Sequence, residues 1–304
     1  MIYTLTFSPS IDYYVYLDTE FVKGRMNRMS SDEIYYGGKG VNVSQVLLGL
    51  GVDNTALGFV AGFTGREIEE GLRAKGLKTD FVHLRNGRSR INIKLKSDVE
   101  SEINAKSPRI DASDMTALLE KIDNIGKDDI LVIAGSLPDD LDRNLPMHII
   151  ERLSSRETKV IADTQGESLY KILSYRPFLV KPNHIELSEL FNEEFSPNDR
   201  GRIEDAAKKL QMNGARNVLV SMGSEGALLV TEDRKVYSAE APNGMVRNTV
   251  GSGDSMIAGF ITGFMENNDF EDAFIMGIAA GSATAFSDGL ATGDEIRDLY
   301  RLIR

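Results

Sequence analysis

A chain of 304 residues, 41% apolar and 27% charged, can bury a large core as one α/β domain or as two. A net charge of −11 argues against nucleic-acid and anionic-membrane partners, so any anionic ligand must be held by a local basic cluster. The absence of cysteine excludes disulfides, thiolate metal sites and cysteine nucleophiles, and it suits a reducing, cytoplasmic setting.

Ile2 to Phe7 reads as a buried strand at the very N-terminus, and no apolar run approaches the ~18 residues of a membrane span, so neither signal peptide nor membrane anchor is expected. The strand ends at Ser8-Pro9-Ser10-Ile11-Asp12. A carboxylate just beyond a strand's carboxyl end lies where open α/β sheets bind ligands, although support of the proline turn explains Asp12 equally well. Tyr13 to Leu17 and Ser31 to Tyr36 are predicted strands on either side of a basic stretch (Lys23, Arg25, Arg28). With no helix between them, they predict antiparallel sheet set apart from a βαβ core.

Gly37-Gly38-Lys39-Gly40-Val41-Asn42 opens a helix carrying Val43, Val46, Leu47 and Leu50. Its glycines permit backbone approach to a small ligand and Lys39 adds charge; a purely structural glycine turn is the plainer alternative. It is not a P-loop, because Gly40 rather than Ser or Thr follows the Gly-Lys pair. A strand near Thr55 to Val60, a glycine turn over Gly62 to Gly65 and a helix near Arg66 to Lys75 come next. Arg88-Ser89-Arg90 leads into a second hairpin, Arg90 to Leu95 and Glu100 to Asn104. Ile91, Ile93 and Leu95 alternate there with Asn92, Lys94 and Lys96, the mark of a sheet with one apolar face. The two arginines read either as solvated charge or as a planar clamp on a sugar phosphate.

The apolar runs Ile130 to Ala134 and Val160 to Ala162 suit a parallel sheet covered on both faces. The first ends at Gly135-Ser136-Leu137-Pro138, the second at Asp163-Thr164-Gln165-Gly166. Leu179-Val180 leads into Lys181-Pro182-Asn183-His184-Ile185-Glu186. Asn183 and Glu186 share one face if a helix begins at Asn183, and an ordinary capping arrangement explains the same residues. His184 fits no ligand spacing and reads as a surface residue. Asn217 to Ser221 is the next strand, followed by Met222-Gly223-Ser224-Glu225-Gly226, a turn with room for a nucleotide.

Asn248-Thr249-Val250-Gly251-Ser252-Gly253-Asp254-Ser255 then runs into a helix with Met256, Ile257, Phe260, Ile261, Phe264 and Met265 on one broad stripe. Gly259 and Gly263, one turn apart, let another backbone come close. The helix should be buried, its free N–H groups and positive dipole end converging at Gly251-Ser252-Gly253. Asp254 is there either a dipole-stabilised cap or a base. An anion cradle plus a base is what phosphoryl transfer to an alcohol needs. Ala273 to Ala285 is a tightly packed helix of small residues.

The Thr249-to-Ser255 stretch resembles the second signature of the ribokinase-like (PfkB) carbohydrate kinases, and Gly37 to Asn42 resembles the first. Gly135-Ser136-Leu137-Pro138, Asn183-x-x-Glu186 and the hairpin strands occur in family order over essentially the whole chain. The resemblance implies a three-layer α/β/α sandwich with a mostly parallel central sheet. It also implies one domain over residues 1–304, with a small β lid at about 12–36 and 89–105. Asp254 is then the general base, and Gly251, Ser252 and Gly253 form the anion hole for the transferred phosphoryl group. Asp12, Gly37, Gly38 and Asn42 inherit contacts to sugar hydroxyls; Lys39, Arg90, Arg28 and Ser136 inherit the substrate's own phosphate. Ser8 departs from the asparagine usual in the opening motif. ATP is implied at Lys181, Asn183, Glu186, Ser221, Gly223, Ser224, Gly226, Gly251, Ser252, Gly253 and Ala280. Magnesium is implied at Glu186 and Asp163.

Arg90 to Leu95, Glu102-Ile103-Asn104 and Leu57 to Gly65 most resemble the family's 1-phosphofructokinases, with the tagatose-6-phosphate and minor 6-phosphofructokinase types close behind. A non-catalytic sugar-phosphate sensor and a Rossmann oxidoreductase are the competing classes. The intact Asp254 and glycines count against the first, and the missing Gly-x-Gly-x-x-Gly fingerprint counts against the second. A homodimer clasped through the apolar face of the lid is the expected assembly.

Overall fold

The computed structural model describes residues 1–135, 137–138 and 140–304. In chain order its elements are β1 (Ile2–Thr6), β2 (Ser10–Tyr16), β3 (Ser31–Gly37), α1 (Lys39–Gly49), β4 (Asn54–Ala61), α2 (Gly62–Ala74), β5 (Lys78–Thr79) and β6 (Val82–Leu84). Then come β7 (Arg90–Lys96), β8 (Ser101–Ile103), α3 (Ala112–Ile122), β9 (Ile130–Ala134), α4 (Leu145–Leu153), β10 (Lys159–Asp163), α5 (Gly166–Ile172) and β11 (Leu179–Val180). The last third supplies α6 (His184–Phe191), α7 (Arg200–Met212), β12 (Asn217–Ser221), β13 (Ala227–Val230), β14 (Val236–Ala239), α8 (Ser252–Asn267), α9 (Phe270–Phe286) and α10 (Gly293–Ile303).

The large sheet runs β14-β13-β12-β11-β10-β9-β1-β4-β5, with β6 also on β4. It is parallel from β5 to β12; β13 and β14 are antiparallel. Every residue of β9 is buried because helices cover both faces. Leu131 and Ile133 point into a core shared with α3, α4, α5, α6 and α7, while Ile130, Val132 and Ala134 point into one shared with α1, α8, α9 and α10. This is the expected three-layer sandwich. Because its central strands run the same way, the residues that follow β1, β4, β9, β10, β11 and β12 all gather on one edge. Among the described residues, no helix is long and apolar enough to cross a membrane.

The lid is a separate four-stranded sheet of order β3-β2-β7-β8. Its two hairpins are antiparallel as expected, but they are joined by parallel pairing of β2 with β7. Both strands leave the same edge of the large sheet, so they enter the lid in one direction. The lid's β2 begins at Ser10, which puts Asp12 inside a strand rather than in the proline turn. The alternation in β7 is present, but its apolar face points outward. Asn92 is buried, whereas Ile34, Ile91 and Ile103 are exposed. The glycine turn expected over Gly62 to Gly65 is instead the first turn of α2.

The helices α8 and α9 pack closely, as the small residues predicted. A Cβ on Gly259 would lie 2.4 Å from the carbonyl oxygen of Met276, and one on Gly263 would lie 2.8 Å from Cα of Ala273. Gly259→Val should therefore force the helices apart and destabilise the fold by about 1–3 kcal/mol, read as a lower urea midpoint. An unchanged midpoint would show that this contact yields freely.

Candidate active site

The helix α8 begins at the edge where the strand ends gather. Its N-cap, Gly251, has φ of 83°, a conformation that a side chain disfavours, and a Cβ there would lie 2.7 Å from Cδ2 of Leu290. This turn places Ser252, Gly253 and Asp254 in the first helical turn, where N–H groups have no partner inside the helix. Asp254 is buried, and its Oδ2 accepts a hydrogen bond of 2.8 Å from Nδ2 of Asn42, in the first turn of α1. Under the same turn, Nζ of the buried Lys181 lies 3.1 Å from where a Cβ on Gly253 would stand.

The lysines are tied to a second aspartate. Nζ of Lys39 donates to Oδ2 of Asp163 at 2.9 Å, and Nζ of Lys181 lies 3.4 Å from Oδ1. The second approach is an ion pair without a well-formed hydrogen bond, and Oδ1 is otherwise unpartnered. Burial would push the Asp163 carboxyl up, but Lys181 and Lys39 together hold it below the usual carboxylate range. Asp254 goes the other way. Burial, and then the charge of Asp163, push it up to about 7 against the Asn42 hydrogen bond and the two lysines. That value suits a general base working near neutral pH.

Two cavities open onto this cluster. The first, about 440 Å³, is bounded by Ser8, Ser10, Asp12, Gly38, Lys39, Asn42, Arg90, Asn92, Asp163, Lys181, Asn183, Glu186 and Asp254. The lid register sets Ser10 opposite Arg90 and Asp12 opposite Asn92, so all four share the inward face. Oδ1 of Asp12 accepts from Oγ of Ser10 at 2.9 Å and from Nδ2 of Asn92 at 2.7 Å. A Cβ on Gly37 would stand 2.1 Å from Oδ2 of Asp12, so a side chain there would push this carboxylate out of place. Arg90 donates from Nε to the carbonyl of Ser8 at 3.3 Å, and burial lowers its pKa from the usual arginine value. The second cavity, about 470 Å³, lies between the Gly223–Gly226 turn, Ser252 and the α9 residues Ile278, Gly281, Ser282 and Ala285. Asn183, Ser221 and Gly253 line both. A hydroxyl placed in one cavity and a phosphoryl group in the other would thus meet at Gly253, beside Asp254.

A family model described as pfkB family carbohydrate kinase matches residues 5–297. The chain belongs to this family. It is a phosphotransferase that acts on a sugar hydroxyl. The 1-phosphofructokinase of Bacillus subtilis is 43% identical to this carbohydrate kinase over 302 residues, which cover 98% of this chain and 97% of the relative. The D-tagatose-1-phosphate kinase of Bacillus licheniformis is 39% identical over 290 residues, covering 95% and 94%. Among solved structures, phosphofructokinase-2 from Escherichia coli in complex with fructose-6-phosphate gives a TM-score of 0.90 at 28% identity, covering 99% of this chain and 98% of that one.

Against the expectations from sequence, the kinase brings Asp12, Gly38, Lys39, Asn42, Arg90, Asp163, Lys181, Asn183, Glu186, Gly251, Gly253 and Asp254 to one cavity. It brings Ser221, Gly223, Ser224, Gly226 and Ser252 to the other. Ser136 lies outside the described residues. Arg28 does not join: it is exposed in the connection between β2 and β3 and lines neither cavity. Ala280 does not join either. It is fully buried against Gly259 of α8, on the face of α9 opposite the one that Ile278, Gly281 and Ala285 offer to the cavity. His184 is no surface residue; it is half-buried, lines the second cavity, and its Nδ1 is buried without a hydrogen-bond partner. Asn183 and Glu186 form the capping box of α6, Asn183 Oδ1 accepting from the N–H of Glu186 at 2.8 Å and Glu186 Oε2 accepting from that of Asn183 at 2.9 Å. Ser10 and Asn92 were missed as site residues. Their signal was the period of two that sets them beside Asp12 and Arg90 on one strand face.

A general base acts only when deprotonated, so with Asp254 in that role activity should rise with pH through an apparent pKa near 7. Asn42→Ala removes a hydrogen bond that favours the charged carboxylate, so the acid limb of kcat/KM should move to higher pH. A limb that stays in place or moves to lower pH would contradict this account of Asp254.

Proposed function

We propose that this kinase transfers the γ-phosphoryl group of ATP to a hydroxyl of fructose 1-phosphate, giving fructose 1,6-bisphosphate. The observation that carries the reading is Asp254, a buried carboxylate at the junction of two cavities beside a helix N-terminus. The sugar occupies the cavity of Asp12 and Asn92, and the nucleotide the cavity of the Gly223–Gly226 turn. Asp254 takes the hydroxyl proton, while the first-turn N–H groups and Lys181 meet the charge of the phosphoryl group in flight. Arg90, a half-buried guanidinium on the sugar side, suits a substrate that already carries phosphate. The names of the 43% and 39% identical relatives favour a ketohexose 1-phosphate. Likeness to the fructose-6-phosphate complex, at 28% identity, supports a second reading in which the phosphate sits at the other end.

Among the described residues no three carboxylates or histidines gather into a metal cage. Glu186 is already engaged by the N–H of Asn183 and by Nε2 of Gln165 at 2.5 Å, and Asp163 by its lysines. Magnesium needs no such cage, because it keeps several waters and is held by one or two carboxylates plus substrate phosphates. Glu186 and Asp163 would hold it, and when bound it would offset phosphate charge. A chain without cysteine suits a cytoplasmic setting. A lid-to-lid homodimer would cover the outward row Ile34, Tyr13, Ile93 and Ile103, which the strand register aligns across the sheet. Light scattering should show a dimer at micromolar concentration, and a monomer there would remove this assembly.

Magnesium-dependent ADP release should show the highest kcat/KM for fructose 1-phosphate among fructose 1-phosphate, fructose 6-phosphate, tagatose 6-phosphate, fructose and ribose. Preference for a 6-phosphate would overturn the substrate and keep the mechanism; activity on free sugars alone would overturn the role of Arg90. Asp254→Asn should lower kcat by about 10²–10⁴ with KM for the sugar largely kept. Wild-type turnover in that variant would sink the assignment of the base.

A further inference from the structure

Three segments in contact with one another adjoin the wall of the sugar cavity, and each carries an exposed cation that the chemistry above leaves unused. The N-terminus of α2 touches the stretch before β7: a Cβ on Gly62 would lie 2.7 Å from the carbonyl oxygen of Gly87 and 3.3 Å from Cα of Arg88. Gly87 in turn faces Pro108, whose Cβ lies 3.1 Å from where its own Cβ would be. The segment after β8 is pinned to the cavity wall at two points. The N–H of Ala105 donates to Oδ1 of Asn92 at 3.3 Å, and Oγ of Ser107 lies 2.6 Å from Oγ of Ser8. Lys106 stands between those two anchors with its side chain exposed. Arg66 and Arg88 are exposed on the neighbouring segments, and none of the three has an ion pair or hydrogen bond among the described residues. Of the nearby acids, Glu67 accepts from the hydroxyl of Tyr36 and Glu102 pairs with Lys94, while Glu70, one turn after Arg66, is exposed and makes no ion pair with it among the described residues.

Three exposed cations without ion pairs on segments adjoining one cavity wall stand out in a chain of net charge −11. We propose that Arg66, Arg88 and Lys106 form a capture site for the phosphate dianion of the sugar substrate, ahead of the pocket in which Arg90 faces it. The inference rests on the proposed phosphosugar activity. A phosphate monoester carries about −1.5 to −2 charges at neutral pH. A local cluster of one sign raises the concentration of the opposite ion at a cavity mouth even when the rest of the molecule repels it. Exposed charges act mainly on encounter and are screened by salt, so the effect is read in kcat/KM and its ionic-strength dependence.

The test compares the wild-type enzyme with the triple variant Arg66→Gln, Arg88→Gln, Lys106→Gln, using fructose 1-phosphate, ATP and sodium chloride as probes. At low salt the variant should lose about three- to tenfold in kcat/KM for fructose 1-phosphate, through KM, and its response to salt should flatten. Its kcat/KM for ATP should hold, because ATP enters through the other cavity. ATP carries more charge than the sugar phosphate, so an equal loss for ATP would mean a global charge effect and overturn the capture site. Identical values and salt slopes in both proteins would overturn it as well. A wild-type enzyme that turns over fructose 1-phosphate while the variant matches it sinks this inference alone. One that neither binds nor turns over any phosphoketohexose sinks the proposed activity and the capture site together.

Discussion

Asp254 is a carboxylate buried where two cavities meet, and the rest of the site turns on keeping it able to titrate near neutral pH. Two lysines and two aspartates share the space under α8, so the cluster is balanced in sign although Asp163, Lys181 and Asp254 are buried. The division of labour among the four matters more than their sum. Asp163 takes both ammonium groups as direct partners and is held in its charged form. Asp254 receives only a neutral amide, from Asn42, and feels the lysines at a distance. A lysine bonded directly to Asp254 would stabilise its carboxylate and weaken it as a base.

That arrangement depends on the parallel sheet. Asp163 ends β10, Lys181 follows β11 and Ser221 ends β12, so adjacent parallel strands deliver their terminal side chains to one edge. Lys39, Asn42 and Asp254 come from α1 and α8, which pack on the same face of the sheet with their first turns at that edge. The tight approach of α8 to α9 at Gly259 and Gly263 fits the helix carrying the base into this layer, and the same pair of helices walls the second cavity.

The lid uses strand alternation in an unusual sense. In most two-faced sheets the apolar side turns inward. Here the inward side is Ser10, Asp12, Arg90 and Asn92, which line the cavity, and Ile34, Ile91 and Ile103 are left outside. The same inversion explains both the polar lining of the cavity and the exposed apolar surface of the lid.

Much of this was legible from residues alone. The runs Ile130 to Ala134 and Asn217 to Ser221, the buried stripe of α8 and the glycine turn before Asp254 each carry a local signal, either a hydrophobic period or a backbone conformation that only glycine adopts readily. Such signals depend on neighbours within a turn or a strand, so they are written in the order of the chain. Other features depend on what lies across the fold. Ala280 and Gly281 are adjacent in sequence, yet packing against Gly259 takes Ala280 away from the cavity that Gly281 lines. His184 has no partner within its own helix turn that would mark it, and only the placement of Ser221 and Ser252 makes its surroundings a cavity wall. Arg28, expected from sequence to help hold the substrate phosphate, is exposed in the connection between β2 and β3. The residue types needed for phosphoryl transfer could therefore be read in sequence. Which aspartate is paired with lysines, which receives only a neutral amide, and which face of the lid lines the cavity were decided by long-range contacts between Asn42 and Asp254, Lys39 and Asp163, and Asp12 and Asn92. No local period records them, because charge and hydrogen bonding act through space rather than along the chain.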